Sequence, residues 1–326
     1  MITSRQILLL CILAVAAVAS LALSLSSGSV DIPLADLLPA LTGRGDALTI
    51  QIIGEIRLPR SLAAFVTGSL LAFSGVIMQV LLRNPLADPY ILGISGGAAV
   101  GALTAILLGA ANLWLTHAAF AGALLSMLLV FGLANRFGKW SVTRLLLTGV
   151  VISAGWGAVI NVMLTTSANN TVQSMLFWLM GDLSQSRAGG WHFLLLLTGV
   201  GAGLMVARSL NVLIKGDLVA SALGVNTQML RICLYFTASL FTATAVTIAG
   251  SVGFVGLIIP HMLRLAGARD HRILLPGSML LGGSFLVVAD SLARTVIAPQ
   301  QLPVGVVTAI IGVPSFLIIL RSTMSK

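Results

Sequence analysis

The chain has 326 residues, 58% of them apolar and only 8% charged, with a mean hydropathy of +1.07. Soluble domains carry about 25% charged residues, so the composition excludes a soluble enzyme, a nucleic-acid binder and a disordered chain. The formal net charge of +9 reads as lysines and arginines in loops on one side of a bilayer.

A spanning helix needs roughly 20 mostly apolar residues, so the gaps between charged residues count the crossings. Residues 7–25, between Arg5 and Asp31, hold one, and residues 61–82, between Arg60 and Arg83, hold another. Residues 89–135 carry no charge and have room for two, with a break at 109–116. After Arg144 the pattern predicts one crossing to about Leu164, a polar turn at 165–174 and a short apolar piece, 175–180. Arg187 to Arg208 encloses one crossing. The stretch 232–263 fits one long crossing, or two parted by Gly250-Ser251-Val252-Gly253 with Pro260 ending the second. Further crossings fall between Arg272 and Asp290 and between Arg294 and Arg321.

Charge decides the ambiguous stretch. With two crossings there, ten in all and the N-terminus inside, 13 of the 18 lysines and arginines lie inside, including Lys139 and Lys326. Only Arg44, Arg57, Arg60, Arg187 and Arg294 lie outside. With one crossing the split is nine to nine, and the positive-inside bias vanishes. The expected fold is therefore all-α: a single polytopic membrane domain over 1–326, with ten transmembrane helices and both termini cytoplasmic. Ala17-Val18-Ala19 has the form of a signal-peptide cleavage site, but the apolar run continues past it. Cys11 and Cys233 lie far apart in apolar runs, so no disulfide framework or metal pair is expected.

No aspartate or glutamate falls in a span core; Asp290 stands at the end of its helix. Proton-coupled transport normally uses a buried carboxylate or histidine chain, and His117 and His192 sit near helix ends, where they read as interfacial. An ion-coupled secondary transporter with sodium held by broken helices is the alternative. Lys139, in Gly138-Lys139-Trp140, lacks the Walker glycine spacing and the following Ser/Thr, which puts ATP hydrolysis on another chain. Gly93-Ile94-Ser95-Gly96-Gly97 matches a nucleophile elbow, so an intramembrane serine protease with His117 or His192 as base is a remote alternative. Packing explains the motif better, because Gly93, Gly97 and Gly101 recur every four residues as a small-residue face. Gly149, Gly155 and Gly157, and Gly199, Gly201 and Gly203, read the same way.

Longer strings carry a resemblance. Arg57-Leu58-Pro59-Arg60-Ser61-Leu62-Ala63-Ala64, Gln79, Arg83-Asn84-Pro85-Leu86-Ala87-Asp88-Pro89 and Leu92-Gly93-Ile94-Ser95-Gly96-Gly97-Ala98 stand in the first half. The second half has Gly253-Phe254-Val255-Gly256-Leu257-Ile258-Ile259-Pro260-His261, Asp270-His271-Arg272, Ala289-Asp290-Ser291-Leu292-Ala293-Arg294 and Leu302-Pro303-Val304-Gly305. From about Val30 to Leu320 the chain resembles the FecCD/BtuC-type permeases, membrane subunits of bacterial ABC importers for iron–siderophores, heme and cobalamin. That resemblance implies a homodimer in the bacterial inner membrane, with two cytoplasmic ATPase subunits that hold ATP and Mg, and a periplasmic substrate-binding protein. It implies membrane lipid as surroundings, no nucleic-acid partner, no catalytic residue, no metal site and no cofactor on this chain.

Residue by residue, the resemblance implies an ATPase-coupling helix at 216–224. Asp217 would cap it, Gly224 would end it in a left-handed conformation, and Leu218, Ala222 and Leu223 would form its apolar face beside Gly216. A connecting turn packed on its own chain fits the same pattern. Arg57, Arg60 and Arg294 are implied to dock acidic residues of the binding protein; the other readings are a local i,i+4 pair of Arg294 with Asp290 and snorkelling interfacial anchors at Arg57 and Arg60. The cytoplasmic gate maps to Asn84, Leu86, Val142 and Thr143. Some relatives carry a hydroxyl at the first helix-five gate position, where this chain has Val142. Helix five (145–164), the start of helix eight and helix ten (304–320) would wall the pathway, with Asn161 and Met163 as candidates to line it; helical packing explains those two residues equally well.

Overall fold

A computed structural model of the chain describes residues 3–28, 30–136 and 141–324; Lys139 and Lys326 lie outside the described residues. Its regular structure is helical throughout the described residues. In chain order the helices are α1 (Ser4–Ser26), α2 (Leu34–Leu41), α3 (Ala47–Gln51), α4 (Leu58–Leu81), α5 (Ile94–Leu107), α6 (Asn112–Asn135) and α7 (Val142–Thr166). They continue as α8 (Asn169–Met180), α9 (Gly190–Leu213), α10 (Asp217–Ala222), α11 (Thr227–Ala249), α12 (Val255–Leu265), α13 (His271–Thr295) and α14 (Val304–Met324). Seven of them are long and apolar enough to cross a bilayer, and α5, α12 and α14 add three further apolar helices. These ten segments are the ten expected from the charge gaps.

Two crossings are cut short for a reason visible in the structure. At about 1.5 Å per residue, α5 and α12 extend only ~21 and ~16 Å, against a hydrocarbon core of roughly 30 Å. Each is preceded by irregular backbone, a 3₁₀ turn at Pro89–Leu92 and the segment 250–254. The two irregular pieces meet: Val252 N donates to Tyr90 Oη at 3.1 Å, and a methyl group on Gly256 would lie 2.6 Å from Pro89 Cδ. Non-helical backbone at membrane depth is tolerated where protein buries it and supplies partners, and here each segment covers the other.

α4 is the hub. It packs against α11, α12 and α13 and touches α1 and α9. The approach is backbone to backbone: a Cβ at Gly68 would fall 2.2 Å from Gly282 O of α13, and one at Gly75 would fall 1.9 Å from Gly256 O of α12. α5 and α6 pair in the same manner, with Gly97 against Gly122 O (2.4 Å) and Gly101 against Ala118 O (2.1 Å). Gly199 and Gly203 face Phe241 and Phe73, whereas Gly155, Gly157 and Gly201 face open space.

Several expectations are corrected. Pro260 does not end its helix; it lies inside α12. The polar turn expected at 165–174 is mostly the first half of α8, whose entry is confined to Ser167 and the extended Ala168. Gly93 lies just outside α5: at φ 73 it closes the 3₁₀ turn in a left-handed conformation, and a Cβ there would come within 3.0 Å of Ser153 Oγ of α7 and 3.3 Å of Ser126 Oγ of α6. The outer connection 27–57 holds α2, α3 and a π-helical stretch, Ile52–Arg57, that runs directly into α4.

Candidate translocation and coupling sites

Polar contacts between connections sort into two ends. At one end Arg60 and Arg294 converge on Asp290, Asp182 N donates to Ala249 O, and Val304 N donates to Gly181 O. At the other, Arg83 and Arg231 converge on Asp217, and Asn211 binds Asp270. These are the outer and inner faces of the ten-helix topology.

At the outer end the three arginines are spent within the chain. Arg57, 4% exposed, donates to Leu25 O (2.7 Å), Ser26 O (2.9 Å) and Val30 O, stitching the α1–α2 connection to the head of α4. Its guanidinium lies against Gly28, where a Cβ would come within 2.6 Å of Nη2. Arg60, 8% exposed, forks onto Asp290 (Nη2–Oδ1 2.8 Å, Nε–Oδ2 3.0 Å) and sends Nη1 to Gln301 Oε1 at 2.8 Å. Arg294 reaches the same carboxylate (Nε–Oδ2 3.2 Å) and Ser24 Oγ (2.8 Å). Asp290 is fully buried, and two guanidiniums satisfy a charge that alone would be costly. The expected free docking surface of Arg57, Arg60 and Arg294 is therefore not what the single chain presents, because their donors already hold α1, α4 and α13 together. Arg44 and Arg187 are the outer cations left exposed.

Beside them open two adjoining outer cavities of about 700 and 610 Å³, sharing Leu113, Thr116, Gln185, Ser186 and Arg187. The larger adds Trp178 and Trp191; the smaller adds Glu55 and Arg60. His192 lies in the larger one, with Nδ1 accepting from Gly189 N (2.9 Å) and its ring stacked on Trp191. Beneath them, the end of α8, the 250–254 segment and the start of α14 touch through glycines. A Cβ at Gly250 would lie 2.3 Å from Trp178 O, and one at Gly305 would lie 2.3 Å from Met180 O. With the Tyr90–Val252 contact, this makes a junction of unwound backbone between crossings.

At the inner end α10 is held out on an ionic hub. Gly216, at φ 120, caps the helix, so Asp217 is its first residue and does not cap it as expected. Instead its carboxylate accepts from Arg83 Nη2 and from Arg231 Nη2, the latter at 2.7 Å. Arg83 sits at φ 48, a left-handed position usually given to glycine. Gly224, at φ 80, terminates the helix, and Val225 N closes it onto Ala220 O at 3.0 Å. Ala220 is buried, while Leu218 is 89% and Leu223 66% exposed, with Ala222 exposed between them. Nearby, Asp270 Oδ1 accepts from Asn211 Nδ2 and Arg272 N, both at 2.9 Å. Burial pushes that carboxyl up, but the two hydrogen bonds and the charge of Arg272 outweigh it and hold it below the usual range.

The gate positions form the rest of the inner face. Asn84 Oδ1 accepts from Leu86 N (2.9 Å), which fixes the turn after α4; Asn84, Leu86 and Thr143 are exposed, and Val142 packs partly on the core. Along α7, Asn161 is exposed and Met163 half-buried. The elbow reading of Ser95 lacks its frame: a 3₁₀ turn, not a strand, precedes α5.

Spanning helices, glycine-sealed packing and an unwound junction define a polytopic membrane protein. The chain belongs to the FecCD transport family, whose model matches residues 13–322. It is similar to the cobalamin import system permease protein BtuC of Halobacterium salinarum, 43% identical over 83% of this chain and 73% of the relative. It is also similar to the hemin transport system permease protein HmuU of Yersinia pestis, 41% identical over 82% of each. Among solved structures it matches a metal-chelate type ABC transporter in an inward-facing conformation, with a TM-score of 0.85 and 31% identity over 96% of this chain and 98% of that one.

The sequence reading missed the Asp217 hub, the Tyr90–Val252 contact and the outer cavities. Arg83 beside Asn84-Pro85 was the one local signal, an arginine at the end of a long apolar run. Its partner lies 134 residues away, beyond any local pattern.

Proposed function

We propose that this permease is the translocation subunit of an ATP-driven importer of the bacterial inner membrane. It works as a homodimer with two cytoplasmic ATPase subunits and a periplasmic binding protein, and its cargo is a metal chelate of the cobalamin, heme or ferric-siderophore kind. ATP and Mg belong to the partner ATPase. The observation that carries this reading is α10, a helix on the inner face that exposes Leu218 and Leu223 while two arginines hold its first residue. An apolar helix face presented to water this fully suits a groove in a partner. The names of the relatives support the chelate class.

The test is uptake of cyanocobalamin or hemin into proteoliposomes holding the chain with its ATPase and binding protein. Uptake requires ATP, and Leu218→Asp or Leu223→Asp abolishes it while hydrolysis continues. Uptake without ATP, or driven by an ion gradient with this chain alone, overturns the reading in favour of a secondary transporter.

The binding protein docks on the outer face, and Arg60 is the member of the arginine set placed to take part. Among the described residues its Nη1 is satisfied by the exposed amide of Gln301, which an incoming carboxylate can displace with the stronger charged bond. Arg57 and Arg294 brace the frame behind it. Gln301→Glu fills that position from within, so it weakens binding-protein affinity about tenfold while leaving the Asp290 pairs intact. Unchanged affinity in a pull-down titration removes Arg60 from the interface.

A further inference from the structure

We propose that Gln79 is a positioning residue that stands in for the backbone N–H missing at Pro260, locking α12 to α4 so that the two move as one body. The inference rests on the transport reading for its consequence but not for its geometry.

In an α-helix each carbonyl accepts from the N–H four residues on. Gly256 O would accept from residue 260, which is proline and has no N–H. A buried carbonyl left without a donor is costly. Here the donor comes from another helix: Gln79 Nε2 lies 3.3 Å from Gly256 O and 3.3 Å from Leu257 O. α12 thus passes through Pro260 with the carbonyl that the proline orphans supplied from α4.

The reach depends on close contact. Leu71, Gly75 and Gln79 recur every four residues along one face of α4, and α12 lies on that face. A methyl group on Gly75 would sit 1.9 Å from Gly256 O, and one on Gly256 would sit 3.0 Å from Leu71 O. Gln79 is 4% exposed, so both ends of its amide need partners, and its oxygen accepts from Arg264 Nη1. One side chain thus grips α12 at the break and again at Arg264 near its inner end.

The outer end of α12 is also constrained. Phe254 caps the helix at φ 71, a conformation rare for a side chain of this size, and it lies against Gly312 of α14, whose added Cβ would come within 2.7 Å of Phe254 Cβ. α12 is therefore a short rod, braced on α14 at one end, interrupted in the middle, and bound across the interruption to α4. Without Gln79 the break becomes a hinge.

The test restores the missing donor in the chain itself. Gln79→Leu, Pro260→Ala and the double variant are compared in lipid nanodiscs, with Cys11 and Cys233 changed to serine and spin labels at the exposed positions 56 and 265. Gln79→Leu broadens the distance distribution between the labels; the double variant narrows it again, because Pro260→Ala supplies the N–H that Gly256 O needs. ATP-driven uptake in the assembled transporter falls about tenfold in Gln79→Leu, the scale of one unmade buried hydrogen bond, and recovers to within about threefold in the double variant. If Gln79→Leu does not fold alone, recovery of folded protein by adding Pro260→Ala supports the same conclusion. Independent, multiplying effects of the two substitutions, or a narrow distribution in Gln79→Leu, overturn the proposal. Restored rigidity with no ATP-driven uptake in any variant, the unmodified chain included, overturns the transport reading and leaves the strut standing.

Discussion

α4 and α7 are similarly apolar spanning helices of nearly equal length, yet they meet opposite environments. The most apolar window of the run Ala47–Leu81 is 89% buried in the single chain, and that of α7 only 11%. α4 is enclosed by five other crossings; α7 packs on α5, α6 and the 3₁₀ turn and leaves Leu147, Val150, Val151 and Val162 bare. In lipid there is no hydrophobic force to gather helices, so close backbone approach selects neighbours. α4 has glycines where other backbones touch it, at Gly68 and Gly75; α7 has Gly149 against Ile91 O, but Gly155 and Gly157 face nothing. A buried glycine ridge makes a hub, and an open one marks a surface left for a second copy, the pathway or lipid.

The largest effect that would break this comparison is steric. Gly75→Val places a side chain into the Gly256 carbonyl, and we expect loss of folded, monodisperse protein, a destabilisation of about 4 kcal/mol or more. Gly155→Val meets open space and leaves the thermal unfolding of the single chain within about 0.5 kcal/mol of the parent. Equal behaviour of the two variants in size-exclusion and thermal-melt assays removes the distinction between hub and open face. A smaller effect sharpens it. Asn161→Ala, at an exposed site on α7 whose side chain has no hydrogen bond among the described residues, changes stability by less than about 0.5 kcal/mol. If Asn161 lines the pathway, as the family resemblance implies, the same variant alters the rate of chelate uptake; an unchanged rate returns it to the lipid-facing or dimer surface.

Much of this was legible before any coordinates. The gaps between charges gave the crossings, and the positive-inside bias separated ten from nine across 232–263, because placing guanidiniums on the wrong side is costly whatever the packing. Gly224 was legible as a helix end and Leu218 and Leu223 as an apolar face, since both follow from short-range helix chemistry. What misled the reading was local in another sense. Pro260 costs α12 a hydrogen bond without ending it, and Gln79, 181 positions earlier, donates to the carbonyl left over. Asp217 has the residue type of a cap but the company of two arginines. Arg57, Arg60 and Arg294 stand where docking residues stand in the family resemblance, while the fold gives their donors to α1, α13 and the outer loops.

The sequence by itself determined the solvent of this protein, the number and sense of its crossings, and the small-residue ridges on which they touch; these depend on transfer energies and helical periodicity, which act within 20 residues. Only the tertiary structure decided which ridge is covered and which charges are already paired. It also decided where backbone can unwind inside the membrane, because each requires a partner brought from a distant crossing, as Tyr90 is brought to Val252.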